Sequence, residues 1–315
     1  MSPRMALESE IFRAYLAIVI GLLLLGGATL AVLRWIAKRN VHHAWQAFQG
    51  WLMMAPAVLA ALFLGRVAGI LFIVALATCG FWEYARATDL ARDRAISGVV
   101  FVGILGMGGI ALAIDPFLGL PGWYGMFMTL PVYVIAAILL VPIIRNRAVG
   151  QLQNVALAVL GFVYIGWMLG HLAFLVNSRH AYGYLLFLFF AVESNDVAAY
   201  CCGRLFGRHP LRGNISPKKT WEGSFGGLAV SLVLPWLLWF SFPHFGALEL
   251  ILTGLIVGIG GQLGDLSISM IKRDVGLKDM GSAIPGHGGI LDRIDSLIYV
   301  APLFLHMVRF FHDLY

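Results

Sequence analysis

The chain has 315 residues, 60% of them hydrophobic and only 12% charged, with a formal net charge of +6; its mean hydropathy is +0.85. That balance excludes an ordinary water-soluble globular protein and points to a polytopic membrane protein. The positive charge suits anchoring at an anionic membrane surface and gives no support to nucleic-acid binding.

In chain order, apolar runs predict spans over residues 11–33, 51–64, 68–85, 96–114, 124–144, 151–176, 181–202, 223–242, 248–268 and 296–311. Most are long enough for a helix across a ~30 Å hydrocarbon core. The second is short and Pro302 interrupts the last, so the expected fold class is all-α and polytopic, with nine or ten transmembrane helices and a polar cavity facing the cytoplasm. With ten spans and the N-terminus outside, 17 of the 22 Lys and Arg residues fall in alternate loops, which the positive-inside rule assigns to the cytoplasm. Merging the two shortest runs would move only the N-terminus. The first run is too long for a cleaved secretory signal and ends in a basic loop, so it reads as a retained span. Cys79, Cys201 and Cys202 lack zinc-ligand spacing and read as small packing residues.

Two of the inside loops carry far more charge than anchoring needs. Residues 193–222 hold eight charged residues and 265–295 hold nine, together 17 of the 38 in the chain. Several are carboxylates at or inside the ends of apolar helices, where they are costly to keep and mark a functional site by default. In the first loop Asp196 lies about one turn inside its span, and Ser216-Pro217-Lys218-Lys219-Thr220-Trp221-Glu222-Gly223 precedes the next one. Two ammonium groups and two hydroxyls suit phosphate, with Gly213 and Gly223 allowing close backbone approach.

In the second loop Asp265, Ser269 and Lys272 recur at i, i+4 and i+7 and share one helical face. Gly281, Pro285, Gly286, Gly288 and Gly289 then demand a turning backbone, tolerated at membrane depth only when buried in protein or lining a wet cavity. Asp292 and Asp295 share a face at the start of the last span, with Arg293 beside them. Asp196, Asp265 and Asp292 come from three helix ends and can converge on one hard cation. Magnesium takes one or two carboxylates plus waters and substrate phosphates, and the chemistry this suits is transfer at phosphorus.

The stretch SMIKRDVGLKDMGSAIPGHGGILDRID, Ser269 to Asp295, resembles the signature of the CDP-diacylglycerol synthases (phosphatidate cytidylyltransferases), and every fixed position of that signature is present. Upstream features of the family occur in the same order: Asp196 before Ala199-Tyr200, Gly203 to Gly207, Ser216 to Gly223, and Gly264 to Ser269. The resemblance implies that CTP and phosphatidate give CDP-diacylglycerol and pyrophosphate, with Mg2+ required and K+ a candidate second ion. Carried onto this chain, it implies Asp265 and Asp292 as metal ligands with Asp196 as partner. Lys218, Lys219, Lys272, Arg273 and Lys278 would hold phosphates; Ser216, Thr220, Asp279, His287 and Arg293 would orient them; Asp295 would fix Arg293. Ser269 joins the substrate-binding set, and Gly288 and Gly289 form the bent floor on which backbone and His287 meet phosphate. The resemblance further implies a homodimer in a bacterial inner membrane. The chain is read as one membrane domain, 1–315, with spans over 1–180 serving lipid or dimer contact and 181–315 carrying catalysis. The run Asn195-Asp196-Val197-Ala198-Ala199-Tyr200 departs from the family's Asp-Ser/Thr-Gly-Ala-Tyr and leaves the exact lipid acceptor open.

Other residues support two readings each. Glu83 either faces the site or pairs with His171 or Arg86; Glu193 poses the same choice; Trp221 is the one tryptophan near a span end placed to stack on cytosine. His42 and His43 read as interfacial residues. Gly258 to Asp265, superficially a dinucleotide fingerprint, has no preceding strand and reads as close helix packing. A CTP-dependent lipid kinase is the rival enzyme. A transporter is the other rival, but it would place helix breaks near the midplane in two related halves, whereas the charges here sit at helix ends in one half.

Overall fold

In hydrocarbon every backbone N–H and C=O must be satisfied within its own segment, so the apolar runs become helices. The computed structural model describes residues 1–38, 41–284 and 288–314, with every side chain among them except that of His43. The short α1 (Pro3–Glu8) leads into α2 (Glu10–Ala31), which continues as a wider turn to Ile36. Then follow α3 (His42–Leu64), α4 (Arg66–Ala87), α5 (Arg94–Leu112) and α6 (Tyr124–Ile144). α7 (Gln151–Leu160) and α8 (Leu169–Leu175) form one rod through a π-helical stretch, Gly161–Met168. α9 (Ala181–Phe206) is followed by the hairpin β1 (Pro210–Arg212) and β2 (Ser216–Thr220), which pair antiparallel, and then by α10 (Trp221–Leu237). α11 (Ala247–Leu255) runs through a second π-helical stretch, Ile256–Gly260, into α12 (Gly261–Asp274), and α13 (Leu291–Phe311) closes the fold.

Nine helical rods among the described residues are long and apolar enough to cross a membrane. α10, at 17 residues, accounts for the tenth expected run and spans about 25 Å at 1.5 Å per residue. The protein is thus an all-α integral membrane protein. Pro302 does not interrupt α13, which is continuous over 21 residues. Neighbouring helices bury and satisfy what a proline frees.

α13 is the central rod, packed on α12, α8 and α4 and buried along most of its length. Small residues set how closely the rods approach. A Cβ on Gly264 would meet the Asp295 carbonyl, one on Gly258 would lie 2.7 Å from Leu228, and one on Gly260 would lie 3.3 Å from Val300. The glycine run before Asp265 is therefore a helix-packing device, as its sequence context predicts. Because successive rods alternate in direction, α4, α9 and α12 end at the face where α5, α10 and α13 begin. At the opposite face Arg66 ties three segments together, donating to Asn177 Oδ1 at 2.6 Å and to the carbonyls of Ala111 and Leu112 at 2.9 Å.

Candidate active site

The site is built where α9 and α10 pack against α12 and α13. Glycines bring α9 and α10 together: a Cβ on Gly223 would lie 2.6 Å from the Ala199 carbonyl, and one on Gly227 2.6 Å from Asn195 Oδ1. Gly213, by contrast, has open space around it, so of the two glycines expected to permit close approach only Gly223 does so. The loop expected before α10 is a hairpin. Glu222 closes its base by accepting from the backbone N–H of Arg208 (3.1 Å) and His209 (3.3 Å) and bonding His209 Nδ1 at 2.6 Å. Thr220 caps α10 through Gly223 N at 3.2 Å, so its hydroxyl is already engaged by the fold.

A cavity of about 470 Å³ opens between these elements and gathers Asp196, Ser216, Lys218, Lys219, Thr220, Asp265, Lys272, Asp292, Arg293 and Asp295, all of them expected site residues. Its polar side chains are organised as two ion pairs with a carboxylate cluster between. Lys219 Nζ lies 2.6 Å from Asp265 Oδ2, and Ser269 Oγ donates to Asp265 Oδ1 at 3.0 Å. Deeper, Lys272 Nζ lies 2.8 Å from Asp292 Oδ1, while Asp292 Oδ2 accepts from the N–H of Met280 (2.9 Å) and Gly289 (3.0 Å). Between the pairs, Asp196 accepts from Ser296 Oγ at 3.3 Å, and Asp295 accepts from the Ser296 N–H at 2.7 Å. Asp196 and Asp295 are within electrostatic reach of each other, of Asp265 and of Arg293, whose buried Nε has no hydrogen-bond partner among the described residues.

Other expected site residues lie outside the cavity lining. Arg273 is exposed and donates to the carbonyls of Ile215 (3.2 Å) and Leu277 (2.9 Å), so it staples the hairpin to the end of α12. Ser269 acts on Asp265, and Gly289 on Asp292, rather than facing the cavity. Lys278 and Asp279 are exposed, and a Cβ on Gly288, whose φ is +86°, would lie 3.5 Å from Asp279 Cβ. His287, with Pro285 and Gly286, lies outside the described residues. Trp221 stacks on Phe225 (ring centroids 5.7 Å) and does not line the cavity.

Five further polar or charged residues line the cavity. Glu193 and Arg204 lie one turn before and two turns after Asp196 on α9, a helical spacing that reads from sequence once Asp196 is placed. Tyr200, four residues after Asp196, shares that spacing, whereas Ser224 and Gln262 carry no such signal; they bond each other between α10 and α12, with Gln262 Nε2 donating to the Ser224 carbonyl at 2.9 Å.

The donor set fits a hard cation. Each carboxylate oxygen has two lone pairs; Asp292 Oδ2 spends both, but Oδ1 keeps one beside Lys272, and Asp196 and Asp265 keep more. Among the described residues no three acidic, His or Cys side chains stand in metal-holding geometry, so waters and substrate phosphates would have to supply the rest of any ion's ligands.

The sequence model of the cytidylyltransferase family matches residues 45–311. The phosphatidate cytidylyltransferase of Staphylococcus epidermidis strain ATCC 35984 is 40% identical over 160 residues, 50% of this chain and 60% of that one. That of Staphylococcus aureus strain COL is 41% identical over 161 residues, again 50% and 60%. The uncharacterized protein YnbB of Escherichia coli strain K12 is 39% identical over 166 residues, 51% of this chain and 56% of that one. The matched stretch thus covers 56–60% of these relatives' lengths.

Proposed function

We propose that this chain, which belongs to the cytidylyltransferase family, transfers the cytidylyl group of CTP to phosphatidate or a related phospholipid acid, at a cavity facing the cytoplasm. The observation that carries this reading is the meeting in one cavity of two adjacent lysines on β2, an arginine whose Nε has no hydrogen-bond partner among the described residues, and several carboxylates near the ends of membrane helices. A water-soluble polyphosphate and a membrane-bound phosphate can meet there.

In the proposed reaction an oxygen of the lipid phosphate attacks the α-phosphorus of CTP. The new P–O bond forms as the bond from the α-phosphorus to the pyrophosphate oxygen breaks, and pyrophosphate leaves with that electron pair. The attacking oxygen is already ionised, so no strong general base is needed, and catalysis rests on positioning and charge. Lys218 and Lys219 from β2 meet the polyphosphate; Arg293 offers its guanidinium to a phosphate oxygen; Lys272, held by Asp292, supplies fixed positive charge at the cavity wall. A magnesium ion held by Asp265, Asp196 and Asp292 Oδ1 would supply Lewis-acid stabilisation of the phosphate oxygens.

CTP labelled at α or γ tests the reading with purified protein and phosphatidate. α-Label entering the lipid with release of pyrophosphate supports it. γ-Label entering the lipid assigns a kinase instead, and no transfer with any phospholipid acid refutes it.

A further inference from the structure

The polar group that holds the turning segment before α13 comes from the other end of the sequence. Glu83, in the last turns of α4, accepts from the backbone N–H of Ile290 (3.0 Å) and Leu291 (2.8 Å), one to each carboxylate oxygen. It pairs with neither His171 nor Arg86 in these contacts. α13 has no side-chain cap of its own at Ile290, so these amides are among those that a helix start leaves without a partner, and an anion there also meets the positive end of the helix dipole. The backbone closes tightly round the carboxylate: a Cβ on either Gly281 or Gly289 would collide with Glu83. α4 and α13 are in close contact just below, where a Cβ on Gly80 would lie 3.2 Å from Ile294.

Asp292 completes the arrangement from the other side. Its Oδ2 takes the amides of Met280 and Gly289, so two carboxylates grip the segment. Glu83 holds 290 and 291; Asp292 holds 280 and 289. Glu83 does not line the cavity, so among the described residues its polar contacts reach the site through this backbone. We infer that Glu83 is a positioning residue: by capping α13 it fixes the entry to that helix at residues 289–291 and thereby sets where Asp292 and Arg293 present their charge to the cavity. The hairpin lysines belong to a different element and do not depend on it.

The test uses the full-length protein in lipid nanodiscs, with Glu83→Ala and Glu83→Gln. Gln keeps one oxygen acceptor but presents an N–H₂ group to the second amide, so it restores part of the cap. Amide hydrogen exchange without substrate is expected to rise at least tenfold over residues 288–292 in Glu83→Ala and less in Glu83→Gln, with the hairpin and α2 unchanged. In the CTP assay, the one arm that rests on the proposed function, kcat is expected to fall about 10- to 100-fold in Glu83→Ala while KM for CTP stays within about threefold, with partial recovery in Glu83→Gln. Exchange within twofold of the parent in both variants would overturn the inference. So would a rise spread over the whole chain in Glu83→Gln, which would make Glu83 a general packing residue, or a kcat that follows neither variant. Failure of cytidylyl transfer in the parent would refute the activity and leave the exchange data to judge Glu83.

Discussion

Removing the ammonium of Lys272 leaves Asp292 charged in a place that water hardly reaches: the side chains are 11% and 3% exposed. At 2.8 Å the gross attraction is about 6 kcal/mol at an effective dielectric near 20, much of it offset by the cost of dehydrating both ions. Breaking a buried pair by deleting one partner costs about 3–5 kcal/mol. Asp292 keeps two backbone donors, so Lys272→Met belongs at the low end, about 3 kcal/mol. Asp292→Asn leaves the ammonium unpaired and is expected to cost about as much. The double variant removes both charges and is expected to cost clearly less than the two separate losses together, a coupling of about 2–3 kcal/mol. Unfolding by SDS titration in mixed micelles, followed by circular dichroism, measures all four corners of this cycle. A coupling below about 0.5 kcal/mol would show that the two groups are not paired and that Lys272 turns to the cavity instead.

Lys219, paired with Asp265 but about one-quarter exposed, is expected to matter for substrate rather than fold. Lys219→Gln should lower kcat/KM for CTP about 10- to 100-fold with little change in thermal unfolding, and a loss under threefold would refute its phosphate role. At the opposite face the rings of His180 and His244 stack at 3.9 Å between centroids, with Tyr184, Glu249, His312 and Arg179 around them. Burial first, and then the neighbouring His180, pushes the His244 imidazole down to about 4, and burial also lowers His180. The unfolded chain, titrating near 6.5, binds more protons between about pH 6.5 and 4, so stability is expected to fall as pH drops through that window. Thermal scans should show the fall in the parent and a smaller one in His244→Phe; equal pH dependence would refute it. For orientation, Val149 lies on the cavity face and Phe117 on the other, 95% and 85% exposed. With Cys79, Cys201 and Cys202 replaced, Phe117→Cys should react with an impermeant thiol reagent in intact cells and Val149→Cys only in opened ones, and the reverse pattern would refute the cytoplasmic placement.

Helices and cavity were legible in the sequence for different reasons. Spans announce themselves because dehydration forces long apolar runs, and the two charge-rich loops announce the site because charge is costly there. What periodicity does not carry is the direction a polar side chain takes from a turn. Arg273 sits beside Lys272, yet at the end of α12 that single step of 100° takes it from the cavity to the hairpin. The hairpin itself was hidden because SPKKT has a proline and no apolar alternation, and it is held by Glu222 rather than by strand propensity. Glu83 was visible only as a carboxylate out of place. Its partners are backbone amides 207 and 208 residues away, and no side-chain pattern records an amide.

The cavity's charges fall into two tiers that differ in freedom to move. Lys272 and Asp292 have their partners fixed by burial and by backbone, and separating them strands a charge at a cost of a few kcal/mol. Lys219 and Asp265 form a pair in which each side chain is 27% exposed, so water can take over either partner and exchange costs little. On the proposed reading, an arriving polyphosphate competes for Lys219 and frees an Asp265 oxygen without disturbing the tier beneath. The buried pair then serves as the fixed wall against which the exchangeable one works, and this division follows from depth alone, since both tiers are made of the same two residue types.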